Sequence, residues 1–189
     1  MGAARVRKSS RKIPRLALRQ EFAYRLLYPQ VPAVLAAKSD AETTTAMPVT
    51  SIIPVSEEPA KLGVSIRIGL RTDRIMKRAE QFSLNWLDYK KRDLIRKLSS
   101  SSKVKKHNDK LRSNNIRYRV IFEAPVLEDS VAYLVCKKEK TLKIGDHNLY
   151  LGKVLGAMAI LDFDEYWKFD EYKPILYVGS GQKTTFRTF

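Results

Sequence analysis

Thr45-Ala46-Met47-Pro48-Val49-Thr50-Ser51-Ile52-Ile53-Pro54-Val55-Ser56 is the stretch on which the fold turns. Apolar residues alternate here with small hydroxyl residues, and two prolines interrupt the run, so it reads as a strand leading into a turn. Proline lacks a backbone N–H and has a fixed φ, which suits Pro48 and Pro54 to an edge strand or an irregular segment rather than to a central strand. Backbone groups left open in that way, set beside the hydroxyls of Thr45, Thr50, Ser51 and Ser56, suit a flat heteroaromatic ring or a phosphate. The same hydroxyls also suit an ordinary turn in which they satisfy their own backbone, and the stretch taken alone favours that reading.

On the N-terminal side, Leu18, Phe22, Leu26 and Leu27 recur at helical spacing until Pro29 ends the run. Val31 to Ala37 reads as an apolar strand, and the polar turn Lys38 to Thr44 makes it a hairpin partner of the central stretch. On the C-terminal side, Leu62, Val64, Ile66 and Ile68 alternate as in a half-buried strand. The period then changes. Ile75, Met76, Ala79 and Phe82 predict a helix over residues 72–82, with Thr72 as its N-cap. A helix start offers unpaired N–H groups to a phosphate, and Arg71 would add a charged fork; a capped helix with a surface arginine fits the spacing equally well. Ser83 to Leu87 reads as a strand, followed by a short helix capped by Asp88 and carrying Leu94, Ile95 and Leu98. Further strands are expected at residues 118–122, 130–138, 148–161 and 175–178, and so many short strands with few helices point to a closed barrel. Between the last two, Phe-Asp-Glu-Tyr occurs twice within Phe163 to Tyr172, as an insertion or hairpin tip whose rings cover a pocket or another subunit.

The 189 residues suit one domain with a sizeable core, or one domain plus a tail. No apolar run approaches the roughly 20 residues that span a bilayer, and the N-terminus lacks a signal-peptide core, so a cytoplasmic protein is expected. The single Cys136 lies in an apolar strand pattern, has no intramolecular disulfide partner and reads as a buried structural thiol. No His or Cys cluster stands at ligand spacing, so no metal site is expected, and His107 reads as a solvated surface histidine. The outlier is charge, +16 with a pI near 10.0. It gathers in residues 5–19 and in the Ser/Lys/Asn-rich connection that holds Lys103, Lys105, Lys106, Lys110 and Arg112. Neither run has the interleaved aromatics of a single-strand-binding face, which favours a solvated basic surface over a nucleic-acid partner.

The order of segments from about Glu21 to Val178 resembles the flavin reductase-like, FMN-binding split-barrel family. The residues that carry the resemblance are Glu21 to Pro29, Ala46 to Ser51 with Pro54-Val55-Ser56, and Val64-Ser65-Ile66 followed by Arg71-Thr72. Phe82 to Asn85, Ala124 to Ser130, Gly145 to Val154 and Lys173 to Tyr177 complete it. The resemblance implies a mainly β fold, a six-stranded antiparallel Greek-key split barrel with accessory helices. It would occupy residues 16–189 behind a basic, flexible extension of residues 1–15, and form a homodimer. It further implies FMN, or FAD in its place, as cofactor, NADH or NADPH as hydride donor, and an oxygenase or another acceptor as partner. By the same resemblance the cofactor contacts are Thr45, Met47, Pro48, Val49, Thr50, Ser51 and Asn85, with Ser56, Arg71 and Thr72 at the phosphate, and His147 placing the nicotinamide. Hydride transfer asks little acid–base machinery of a protein, so the absence of a nucleophile–base pair is no obstacle. A Rossmann-type glycine fingerprint is missing, so the nicotinamide is expected in a surface groove, folded over the flavin. Thr45 stands where the family often has asparagine, Ser51 where an aromatic is common, and Val135 where an acidic residue is frequent. A flavin electron carrier without turnover, and from another class a basic nucleic-acid-binding barrel, are the alternatives.

Overall fold

The computed structural model describes residues 15, 17–40, 43–100, 109–180 and 184–188. The basic extension, apart from Arg15, and His107 lie outside the described residues. In chain order the elements are β1 (Ala33–Lys38), β2 (Thr44–Val49), β3 (Ile52–Ser56), β4 (Lys61–Arg67), α1 (Arg71–Arg78), β5 (Gln81–Leu87) and α2 (Arg92–Ser100). After these come β6 (Tyr118–Ile121), β7 (Ala124–Leu127), β8 (Ser130–Ile144), β9 (His147–Ala159), β10 (Leu176–Ser180) and β11 (Thr184–Arg187).

Seven of these strands form one antiparallel sheet in the order β2-β1-β5-β8-β9-β4-β3. Its two edges, β2 and β3, are consecutive in the chain and parted only by Thr50 and Ser51. Counted as one interrupted strand, they reduce the sheet to the six strands of a split barrel. The sheet is not closed by a hydrogen-bonded ladder, contrary to the closed barrel expected; its edges are joined through the chain. The break is local, for the Ile52 N–H bonds back to the Thr50 carbonyl at 2.9 Å. Both prolines of this stretch fall on edge strands, Pro48 in β2 and Pro54 in β3, where a missing donor costs no ladder bond.

The core explains why β1 shows no alternation. Ala33, Leu35 and Ala37 face the barrel interior with Val64, Ile66, Phe82 and Tyr150, whereas Val34 and Ala36 face outward against Ile95 and Leu98 of α2, Leu111 and Phe186. Both faces are buried, so the strand is apolar throughout. Helix α1 seats Ile75 and Met76 in the interior core. Its N-cap is Leu70 rather than Thr72, and it ends at Arg78, with Phe82 belonging to β5. The reason is side-chain chemistry: the Thr72 hydroxyl is paired with that of Thr45, and the Asp73 carboxylate accepts the Gly69 N–H and so fixes the entry turn.

Other elements depart from the sequence expectation. The first helical segment is a 3-10 helix, Gln20–Leu27, and its Leu26 and Leu27 are exposed instead of entering the core. Strand β8 runs on to Ile144 through Lys/Glu/Thr residues that carry no apolar pattern, because there it pairs only as a ribbon with β9. Gly145, at φ 58°, turns that hairpin. Cys136 is fully buried in β8, and burial pushes its thiol up to about 12. The segment after β9 is an aromatic loop rather than a hairpin tip. The Trp167 ring lies 5.2 Å from Phe163 and 4.5 Å from Tyr172, and the buried Asp162 carboxylate accepts the N–H groups of Asp170 and Tyr172.

Candidate functional site

The start of α1 meets the edge strand β2 at a corner rich in hydrogen-bond donors. Thr45 and Thr72 are both buried and their hydroxyls lie 2.9 Å apart. Half-buried Arg71 reaches over the strand edge and donates from Nη2 to the Thr44 carbonyl at 3.3 Å. The first turn of a helix also carries N–H groups without intrahelical acceptors. Asp73 braces this corner from within. Its carboxylate accepts from Tyr150 at 2.7 Å, Asn148 at 2.6 Å and the Gly69 N–H at 3.1 Å, and pairs with Lys77 at 3.2 Å. Burial pushes the carboxyl up, but these bonds together outweigh it and leave Asp73 below the usual carboxylate range.

The far side of β2 is held by a second carboxylate. Thr44 donates to Asp109 at 2.5 Å, and Asp109 also accepts from the Tyr118 hydroxyl and from the N–H groups of Leu111 and Arg112. Burial raises the Asp109 carboxyl, but the bonds from Thr44 and Tyr118, then the two N–H groups, bring it below its ordinary range. Next to it Lys110 is only 6% exposed and donates to the Leu98 carbonyl, at the end of α2, at 3.0 Å. Burial, and then the charge of Arg71, lower its ammonium to about 8. Lys110 was expected on a solvated basic surface; it is buried because Leu111, its neighbour, anchors this segment in the core beside α2.

Two cavities flank the break between β2 and β3. One, of about 260 Å³, is lined by Tyr28, Pro48, Thr50, Tyr177 and Phe186. The other, of about 350 Å³, is lined by Tyr24, Leu27, Tyr28, Thr50, Ser51 and Leu149. Thr50 and Ser51 lie outside both flanking strands, and the Ser51 carbonyl accepts from Ser65 of β4 at 3.0 Å. Tyr28 stands between the cavities with its ring 4.7 Å from Tyr177; burial and then Tyr177 raise its phenol, while a bond with Thr50 acts the other way. Polar backbone beside flat apolar and aromatic walls is a surface on which a planar heteroaromatic ring fits.

The remaining sequence candidates disperse. Met47 and Val49 point into the interior core. Asn85 is fully buried and bonded to the Val34 carbonyl, Ser83, the Leu127 N–H and Ser130, so its amide ties strands together. Ser56 ends β3 opposite Lys61, the first residue of β4, whereas Arg71 follows the far end of that strand. At the rise of an extended chain those ends are ~20 Å apart, so one phosphate cannot touch both Ser56 and Arg71. His147 opens β9 opposite Arg67, half-exposed, with Nδ1 2.7 Å from the Asp146 carboxylate rather than on a backbone carbonyl. It lies two residues along the strand face from Leu149, ~7 Å from the edge of the second cavity. Sequence reading missed Asp73, Asp109, Lys110, Tyr28 and Tyr177. Tyr28 and Tyr177 lie in segments that carry the resemblance and Lys110 in the charge run, and Asp73 left a trace as an acid in a first helical turn. Among the described residues no group of three or more His, Cys, Asp or Glu is placed to hold a metal ion, and no helix is long and apolar enough to cross a membrane.

Residues 24–184 match the family model described as flavin reductase like domain. An uncharacterized protein of Aeropyrum pernix is 26% identical over 157 residues; the match takes in 82% of this chain but 59% of that relative's length. Among solved structures, the FMN-binding protein from Thermus thermophilus with bound 1-cyclohex-2-enone superposes with a TM-score of 0.74 at 23% identity, covering 93% of each chain. Flavoredoxin from Methanosarcina acetivorans gives a TM-score of 0.76 at 16% identity over 94% of this chain and 92% of its own. The flavin reductase HpaC complexed with NADP+ gives 0.66 at 21% identity over 85% and 90%.

Proposed function

The chain belongs to the flavin reductase-like domain family, and from that premise we propose that it binds FMN, or FAD in its place, and reduces it with NADH or NADPH. The observation that carries this reading is the donor set at the α1 corner. Arg71, the paired hydroxyls of Thr45 and Thr72 and the first-turn N–H groups of the helix make a donor-rich corner with no unengaged carboxylate, which suits a phosphate. The carboxylates nearby, Asp73 and Asp109, are consumed by protein donors. The ring would lie along Pro48, Thr50 and Ser51, in the cavities that flank the strand break.

A flavin held by Arg71 and Thr72 at its phosphate and along Pro48, Thr50 and Ser51 at its ring would supply the redox chemistry, as acceptor of a hydride from NADH or NADPH and donor of electrons to an oxygenase partner or another acceptor. The chain's own part is to bind and orient. Backbone groups at Thr50 and Ser51 offer donors to a ring that gains negative charge on reduction. Tyr28 and Leu149 exclude water from one face. His147, at the border of the second cavity, would position the nicotinamide. Its bond to Asp146 holds the ring but leaves it half-exposed. Ser56 and Asn85 have no part in this arrangement.

An anaerobic titration with FMN, FAD and riboflavin, followed by each reduced nicotinamide, tests the reading. Catalytic bleaching of the visible flavin band is expected. Arg71→Ala and Thr72→Ala should each weaken FMN on the order of tenfold while riboflavin, which lacks the phosphate, changes little. Equal losses for both ligands would sink the phosphate assignment. Tight binding without bleaching would make the protein a flavin electron carrier, and salt-sensitive nucleic-acid binding without flavin would replace the reading altogether.

A further inference from the structure

We infer that the groove between the start of β2 and β6 is a subsite for an adenosine 5′-phosphate, and that the flavin this chain is built to hold is therefore FAD. The inference rests on the flavin reading above and deepens it. The groove is a cavity of about 620 Å³ that has Thr44 in its lining together with Lys38, at the end of β1, and Tyr118, at the start of β6. Small-ligand sites run from roughly 300 to 1,000 Å³, so the space suits a nucleotide.

The lining combines a platform for a base with charge for a phosphate. The Tyr118 ring is tethered through its hydroxyl, which donates to Asp109 at 2.5 Å, and it is flanked by buried Ile116 and by Val120, 49% exposed. A held aromatic ring with apolar neighbours accepts the face of any base. The Asn115 amide, which has no partner among the described residues, carries a donor and an acceptor for a purine edge. Three cations, Lys38, Arg112 and Arg117, line the groove against one carboxylate, Glu128. Glu128 is already paired with Arg117 at 3.4 Å, and Arg112 with Asp109 at 3.3 Å. Lys38 is half-buried, and among the described residues its ammonium has no hydrogen bond or ion pair. Partial burial of a cation without an anion is unfavourable, and a phosphate would offset it.

Thr44 joins this groove to the α1 corner. Its carbonyl accepts from Arg71 at 3.3 Å, and its hydroxyl donates to Asp109, the same carboxylate that tethers Tyr118. A flavin with its first phosphate at the corner would therefore carry its second phosphate and adenosine past Thr44 into the groove. The simpler reading is a solvated basic surface whose arginines serve Asp109 and Glu128. That surface would hold FMN and FAD alike.

The test is the ratio of FAD affinity to FMN affinity, measured side by side by isothermal titration calorimetry. The wild type should prefer FAD by on the order of tenfold or more. Lys38→Gln combined with Arg117→Gln removes two cations from the groove, and Val120→Glu sets a carboxylate on the platform at a half-exposed position. Each should lower the ratio on the order of tenfold while FMN affinity stays as it was. Equal affinity of the wild type for the two flavins overturns the inference, whether or not the variants fold, and so does a ratio that both variants leave unchanged. A raised KM for NADH or NADPH with an unchanged flavin ratio would give the groove to the adenosine end of the nicotinamide nucleotide and overturn the assignment to FAD. No affinity of the wild type for either flavin overturns the flavin reading itself.

Discussion

Asp73 carries more of the architecture than any other polar residue of the α1 corner. It is fully buried, and it joins the helix to β9 through Asn148 and Tyr150 and to the entry turn through Gly69. Its folded pKa is depressed, so its contribution is complete above the unfolded value of about 3.9 and is lost as pH falls through the lower folded value. Asp73→Asn should cost about 1.5–3 kcal/mol at neutral pH. It should also flatten the loss of stability between about pH 5 and 2 relative to the wild type. Denaturant unfolding at a series of pH values checks both. Parallel acid limbs for wild type and variant would show that the carboxylate charge is not what holds the corner.

Among elements, the aromatic loop between β9 and β10 is organised by carboxylates at its two ends. Asp162 accepts from Asp170 and Tyr172, and Asp88 accepts the Lys173 N–H at 2.9 Å. Between them the Trp167 and Phe163 rings cover an apolar hollow of about 410 Å³ with Trp86, Tyr133 and Met158. The loop therefore packs at the end of β9 marked by Ala157 to Ala159, away from Asn148 and Tyr150, which meet the α1 corner at the other end of that strand. Asp162→Ala should free it. We expect faster amide exchange and proteolytic nicking within residues 163–172 and a changed Trp167 emission, with flavin affinity unaltered. Loss of global stability comparable to that of Asp73→Asn would mean instead that the loop belongs to the cooperative core.

At the scale of the molecule, one group of exposed apolar residues lies beside the strand break. Tyr24, Leu26 and Leu27 from the 3-10 helix and Ile53 and Val55 from β3 are all exposed, and Tyr24 and Leu27 line the second cavity together with Ile53. A patch of that kind marks an interaction surface. The homodimer proposed on the resemblance would cover it and border the flavin site. Leu26→Asp combined with Ile53→Asp should then shift sedimentation from dimer to monomer and weaken flavin by several-fold. A wild type that sediments as a monomer would remove the dimer.

Local physics determined much of this protein from the sequence alone. The prolines at 48 and 54 excluded central strands, the apolar run at residues 31–37 required burial, and Gly145-Asp146 required a turn, because each is decided by one or two neighbouring residues. Arg71 and Thr72 could be placed at a strand-to-helix corner for the same reason. Tertiary structure decided what depends on distant partners. It turned β2 and β3 into the two edges of one split sheet, and moved Thr72 from cap to partner of Thr45, twenty-seven residues away. It occupied Asn85 with strand ties, and separated Ser56 from Arg71 by the length of β4. It drew Lys110 out of a charge run into a buried place at the end of α2, on the Leu98 carbonyl. A charge run looks solvated in sequence because burial belongs to the segments packed around a residue, and no spacing rule carries that information.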